Sequence, residues 1–97
     1  MTALELLESK RPQIEELCRR YGVLRLRVFG SAVRDDWDAA TSDFDFLVEL
    51  EPERSLFDLG GLQYDLQELL GRRVDVVTLP GLKARLRTRV LSEAIQL

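Results

Sequence analysis

Residues 23–48 read VLRLRVFGSAVRDDWDAATSDFDFLV, and the fold turns on how this stretch divides. Val23 to Phe29 sets Leu24, Leu26 and Val28 against Arg25, Arg27 and Phe29, the period-two pattern of a strand with one face on a core. The strand runs directly into Gly30-Ser31, where glycine lets the backbone bend sharply. Ala32 to Arg34 suit the first turn of a short helix, and Asp35 to Ser42 form a polar loop. Phe44 to Leu50 then reads as a second strand, with Pro52 beyond its end.

Upstream, Leu4, Leu7, Ile14, Leu17 and Cys18 recur at helical spacing. Pro12 lacks an N–H and belongs near a helix start, so the pattern predicts a short opening turn, a helix from about Arg11, and a stop at Gly22. Downstream, Ser55 caps a predicted helix over Leu56 to Leu70, weakened in its middle by Gly60-Gly61 and closed by Gly71. Arg73 to Leu79 reads as a third strand, and Pro80-Gly81 as a turn. Leu82, Leu86, Val90 and Ala94 place an apolar stripe on a last helix. The order αβαβαβα predicts an α/β (α+β) domain over residues 1–97, with a small mixed sheet of about three strands flanked by helices.

Composition narrows the chemistry. The chain has 97 residues, 45% hydrophobic and 32% charged, as expected of a globular protein. Fourteen basic against 17 acidic residues leave a net charge of −3, which offers no electrostatic case for duplex nucleic acid or an anionic membrane. With no signal-peptide pattern and no long apolar run, a cytosolic protein is expected. Cys18 is the single cysteine and reads as a small buried hydrophobe. There is no histidine, which removes Ser-His and Cys-His triads and histidine-ligated zinc. Chemistry must run on carboxylates, arginines, hydroxyls and backbone amides.

Three features remain for that chemistry. A strand, Gly30-Ser31 and a helix start form a seat for phosphate oxygens, or simply a capped turn. Asp43 and Asp45 lie two apart at a strand entrance, so both carboxylates point to one face while Phe44 points into the core. Adjacent carboxylates repel unless a cation compensates them, and Mg²⁺ takes hard oxygen ligands of this kind. The bland alternative is a solvated strand end. Asp75, between Val74 and Val76-Val77, either faces solvent on an edge strand or joins the pair if the second and third strands are neighbours. Arg34 lies about one turn after Ser31, free in solvent or aimed at the same phosphate. Lys83, Arg85, Arg87 and Arg89 scatter charge around the last helix and read as solubilising.

Taken together, Val28-Phe29-Gly30-Ser31-Ala32-Val33-Arg34, then Ser42-Asp43-Phe44-Asp45-Phe46-Leu47-Val48, then Val74-Asp75-Val76-Val77 resemble the nucleotidyltransferase superfamily that includes DNA polymerase β. Within it the minimal nucleotidyltransferase (MNT) branch is the nearest likeness. Eleven residues, Ala32 to Ser42, separate Ser31 from Asp43, one more than the usual spacing, and Asp35 stands where members often carry glycine. The resemblance implies that Gly30 and Ser31 hold a nucleoside triphosphate such as ATP, assisted by Arg34. It implies that Asp43 and Asp45 ligate Mg²⁺, with Asp75 a further ligand or the base for the acceptor hydroxyl. It also implies a HEPN-domain partner toxin, adenylylated on a tyrosine and neutralised by this chain as antitoxin. A non-catalytic module that neutralises the toxin by contact, or an antibiotic-type small-molecule transferase, are the alternatives.

Overall fold

A computed structural model of the chain describes residues 1–34 and 37–97. Asp35 and Asp36, and with them the glycine-for-Asp35 departure and the start of the expected polar loop, lie outside the described residues.

The chain opens with a helix, α1 (Ala3–Ser9), where a short turn was expected. Thr2 and Glu5 cap it reciprocally, each side chain accepting from the other's backbone N–H at 3.1 and 2.9 Å. That capping box supplies the start signal that the position of Pro12 obscures. α2 (Arg11–Tyr21) follows, with proline in its first turn and Gly22 ending it at φ 69°. Next come β1 (Val23–Phe29), a single 3-10 turn (Gly30–Val33), β2 (Phe44–Leu50), α3 (Leu56–Leu70), β3 (Val74–Thr78), α4 (Ala84–Glu93) and β4 (Ile95–Gln96).

The sheet order is β3-β2-β1-β4. β2 and β3 run parallel, while β1 is antiparallel to both β2 and β4, so the sheet is mixed as the sequence predicts. β4 is the addition. It pairs Ile95 with Val28 and Gln96 with Arg27, and two residues are too few to show a strand period. One side chain departs from the expected alternation. The β1–β2 register shifts between Val23 and Arg25, which leaves Leu24 as an extra residue, 62% exposed.

From there on, the alternation decides the layers. Leu26 and Val28, Phe44, Phe46 and Val48, and Val74 and Val76 point into one core with Leu62, Leu66 and Leu70 of α3 and Ile14 and Leu17 of α2. Ser55 and Asp58 form a capping box on α3, and Gly71 ends it at φ 69°. β3 is an edge strand, and α3 lends it side-chain acceptors: Gln67 Oε1 takes the N–H of Val74 at 3.2 Å and Gln63 Oε1 that of Val76 at 2.9 Å. With α2 and α3 on the core face, Arg27, Phe29, Asp45 and Asp75 belong to the other face.

The expected apolar stripe on α4 does not become core. Leu86 is 37% exposed and only Val90 of the helix is buried, because α4 meets the domain chiefly at its C-terminal end, against the 3-10 turn. Periodicity reports an apolar face, not whether anything covers it. Arg87 also departs from a solubilising role. Its Nε donates to the carbonyls of Leu79 and Leu82, both at 3.1 Å, and so fixes the turn leading into α4.

Candidate active site

The site is built around Gly30. Its φ of 74° is in the left-handed region, and a β-carbon there would overlap the Asp45 carboxylate. Backbone and space both demand glycine. The turn that follows is one 3-10 turn rather than the start of a longer helix; Arg34 closes it by donating its N–H to the Ser31 carbonyl at 3.1 Å. Ser31 Oγ reaches the Asp43 carbonyl at 3.5 Å, a long contact that ties the turn to the entrance of β2.

The parallel register sets Asp45 beside Asp75, and the antiparallel register sets Asp45 beside Phe29, next to Gly30. Adjacent strands lie about 4.8 Å apart, so Asp45 and Asp75 are neighbours on the open face. Burial pushes the Asp45 carboxyl above its usual range, and the charges of Asp75 and then Asp43 push it further; Arg34 and Arg73 act weakly in the opposite sense. Asp45 therefore feels both other carboxylates, as the sequence pattern suggested. Their side chains do not yet form a closed ligand set. Among the described residues no three such groups stand together closely enough to hold a metal. Arg73 Nε lies 4.0 Å from Asp75 Oδ1. The donor chemistry fits Mg²⁺, which commonly takes one or two carboxylates and completes its shell with substrate phosphates and water.

Two groups at the site have no signal in the sequence pattern. Glu93, 63 positions from Gly30, accepts the Gly30 N–H at 3.1 Å, and the same oxygen lies 3.8 Å from Arg34 Nη2. The Gly30 amide is thus already satisfied by a carboxylate. Arg72 is the second. Its guanidinium lies over Trp37 (4.9 Å) and Phe44 (5.6 Å), and its Nη1 donates to the Ser42 carbonyl at 3.3 Å. Trp37 in turn packs on Phe44 with ring centroids 5.4 Å apart. Asp38 and Ser42 close the intervening loop: Asp38 N–H donates to Ser42 Oγ at 2.9 Å, and Ser42 N–H to the Asp38 carbonyl at 2.8 Å. The entrance to β2 is thereby pinned. An Arg after a helix-ending glycine and a Trp in a polar loop do not announce this contact.

The nucleotidyltransferase domain family matches residues 10–97, which takes in the glycine turn and all three aspartates. The chain belongs to the nucleotidyltransferase domain family. This nucleotidyltransferase is 40% identical over 96 residues to the protein adenylyltransferase MntA of Thermococcus cleftensis, an alignment spanning 98% of this chain and 96% of that one. A solved structure described as a minimal nucleotidyltransferase shares 45% identity and a TM-score of 0.85, over 100% of this chain and 97% of the other. A chain from the rebuilt complex of a tri-AMPylated Shewanella oneidensis HEPN toxin with MNT antitoxin shares the fold alone. It superposes at a TM-score of 0.68 with 21% identity, over 92% of this chain and 69% of that one.

Proposed function

We propose that this chain transfers AMP from ATP to a tyrosine hydroxyl of a HEPN-domain partner, with Mg²⁺, and thereby acts as the antitoxin of a toxin–antitoxin pair. The observation that carries the chemistry is the pairing of Asp45 with Asp75 beside Gly30, on the sheet face that α2 and α3 leave open. The acceptor class is supported by the 40% identical protein adenylyltransferase, and the fold is shared with a chain of a complex between an AMPylated HEPN toxin and an MNT antitoxin.

Asp43 and Asp45 hold the metal, and Asp75 completes the ligand set or takes the acceptor hydroxyl's proton. The metal supplies charge neutralisation on the triphosphate. Gly30 lets the chain turn away within contact of Asp45, so that a phosphate can approach without meeting a side chain. Ser31 Oγ, now on a long contact to the Asp43 carbonyl, is free to donate to a phosphate oxygen, and Arg34 adds a positive charge on the same turn. Attack of the hydroxyl oxygen on the α-phosphorus forms the phosphodiester and breaks the bond to pyrophosphate, which leaves. On the same sheet face, a groove is lined by Arg27, Leu47, Leu56, Leu79 and Leu91, of which Leu56 is 82% exposed. An apolar rim of that kind suits a protein acceptor better than a small polar one.

The test is intact-mass analysis of a co-expressed HEPN partner. Gain of one AMP per modified tyrosine is expected with the native chain, and none with Asp43→Ala/Asp45→Ala. An unmodified partner that the double variant still neutralises would replace catalysis with binding by contact.

A further inference from the structure

We propose that Glu93 is a positioning residue for the nucleotide: it grips the back of the Gly30-Ser31 turn and holds Arg34 toward the phosphates. The inference rests on the nucleotidyltransferase reading of this site and adds a residue that the motif pattern does not contain.

The geometry begins with what constrains Glu93 itself. It is the last residue of α4, and Ala94 closes that helix by donating its N–H to the Val90 carbonyl at 2.9 Å. Immediately afterwards Ile95 and Gln96 pair with Val28 and Arg27 of β1, and Leu97 N–H reaches the Leu26 carbonyl at 3.1 Å. β1 is the strand that delivers Gly30. Glu93 and Gly30 are therefore anchored to the same strand from two directions, and the hydrogen bond between them closes a small ring of structure. The side chain is 25% exposed, sheltered enough for a charge-assisted bond to matter.

Direction separates this role from competition for the seat. At Gly30 the position a β-carbon would take points at the Asp45 carboxylate, whereas the N–H points at Glu93. Glu93 thus holds one side of residue 30 and leaves the Asp45 side, where metal and nucleotide belong, open. A four-residue 3-10 turn has few hydrogen bonds of its own, and a glycine at its head has the widest choice of conformations to lose. An external acceptor fixes that choice before the ligand arrives. The same carboxylate oxygen lies 3.8 Å from Arg34 Nη2, which restrains a long side chain that would otherwise wander in solvent.

The test uses the whole chain and two variants. Glu93→Gln keeps an oxygen acceptor for Gly30 but removes the charge facing Arg34; Glu93→Ala removes both. In ¹⁵N-labelled protein, the Gly30 amide resonance is expected to move and exchange faster with solvent in Glu93→Ala, with Glu93→Gln close to the native position. The KM for ATP should rise about tenfold in Glu93→Ala, the size expected for one lost charge-assisted hydrogen bond, and less in Glu93→Gln. kcat at saturating ATP should fall by a smaller factor. A Gly30 amide unmoved in the alanine variant overturns the inference, as does a lower KM, which would mean that Glu93 competes for the phosphate seat. Unaltered KM in both folded variants of an active enzyme overturns it while sparing the functional reading. A native chain that neither binds nor transfers nucleotide overturns both. If Glu93→Ala does not fold, Glu93→Gln decides, since a raised KM with a native-like amide spectrum is not a folding defect.

Discussion

Asp45 stands directly opposite Asp75 across the parallel β2–β3 pairing, with the glycine turn pressed against the first of them. A sheet selected only for stability would not set two carboxylates side by side there. The arrangement is unfavourable in itself, and the proposed cation would offset it.

That cost has a sign that can be measured. The Asp45 carboxyl titrates above its ordinary value of 3.8, through burial first and then through Asp75 and Asp43. The folded state therefore holds this proton more tightly than the unfolded state, and stability falls as pH rises from that ordinary value through the raised folded one. Metal-free protein is expected to melt lower at neutral pH than just above pH 4, by this contribution. Asp45→Asn should flatten that segment and melt a few degrees higher than the native chain at neutral pH, while abolishing transfer. Mg²⁺ should raise the native melting temperature and leave that of Asp45→Asn nearly unmoved. Thermal melts across pH, with and without Mg²⁺, check each arm.

Gly30→Ala combines two penalties. A left-handed φ costs a non-glycine residue about 1–2 kcal/mol, and the new methyl group must also displace the Asp45 carboxylate. A melting temperature lower by roughly 5–15 °C is expected. Transfer should be lost well beyond what the unfolded fraction explains. Denaturant titration beside a single-turnover assay separates the two effects.

Trp37 is the only tryptophan, so its fluorescence reports the clamp before Asp43. Arg72→Ala is expected to shift its emission to the red and raise the Mg²⁺ concentration giving half-maximal activity, because the Ser42 carbonyl loses its donor. Arg72→Lys should rescue neither, since an ammonium cannot stack as a planar guanidinium does. Native-like emission in Arg72→Ala would remove the clamp from the account of the site.

Two adjacent glycines in α3 should answer alanine in opposite ways. A β-carbon at Gly60 meets nothing within 4 Å, so Gly60→Ala gains helix propensity and should stabilise by about 0.5–1 kcal/mol. At Gly61 it would lie 2.7 Å from the Tyr21 ring, whose hydroxyl is fixed by a hydrogen bond to Asp65. Gly61→Ala should therefore lose its propensity gain to a displaced α2–α3 contact and melt lower than Gly60→Ala. Circular dichroism melts of the two variants are sufficient.

The sequence pattern carried most of the elements because they obey local rules. Alternation located β1 and β2, glycines ended α2 and α3, and the period-two reading set Asp45 on the open face of β2, with Asp43 one residue before that strand. What it missed was non-local or too short. Thr2 and Glu5 start a helix that Pro12 seemed to forbid. β4 has no period to read in two residues, and Leu24 leaves its face because the partner strand has one residue fewer. Nothing near Glu93 or Arg72 in the chain reveals that each ends against the site, since those contacts exist only after the sheet has closed.

The two glutamines of α3 that occupy the outer N–H groups of β3 also set how this protein can meet others. A foreign strand cannot add beside Val74 and Val76 without first evicting Gln67 and Gln63, so that border resists runaway sheet growth between copies. On that side, recognition is left to side chains rather than to backbone, which permits a choice of partner that strand addition alone would not make.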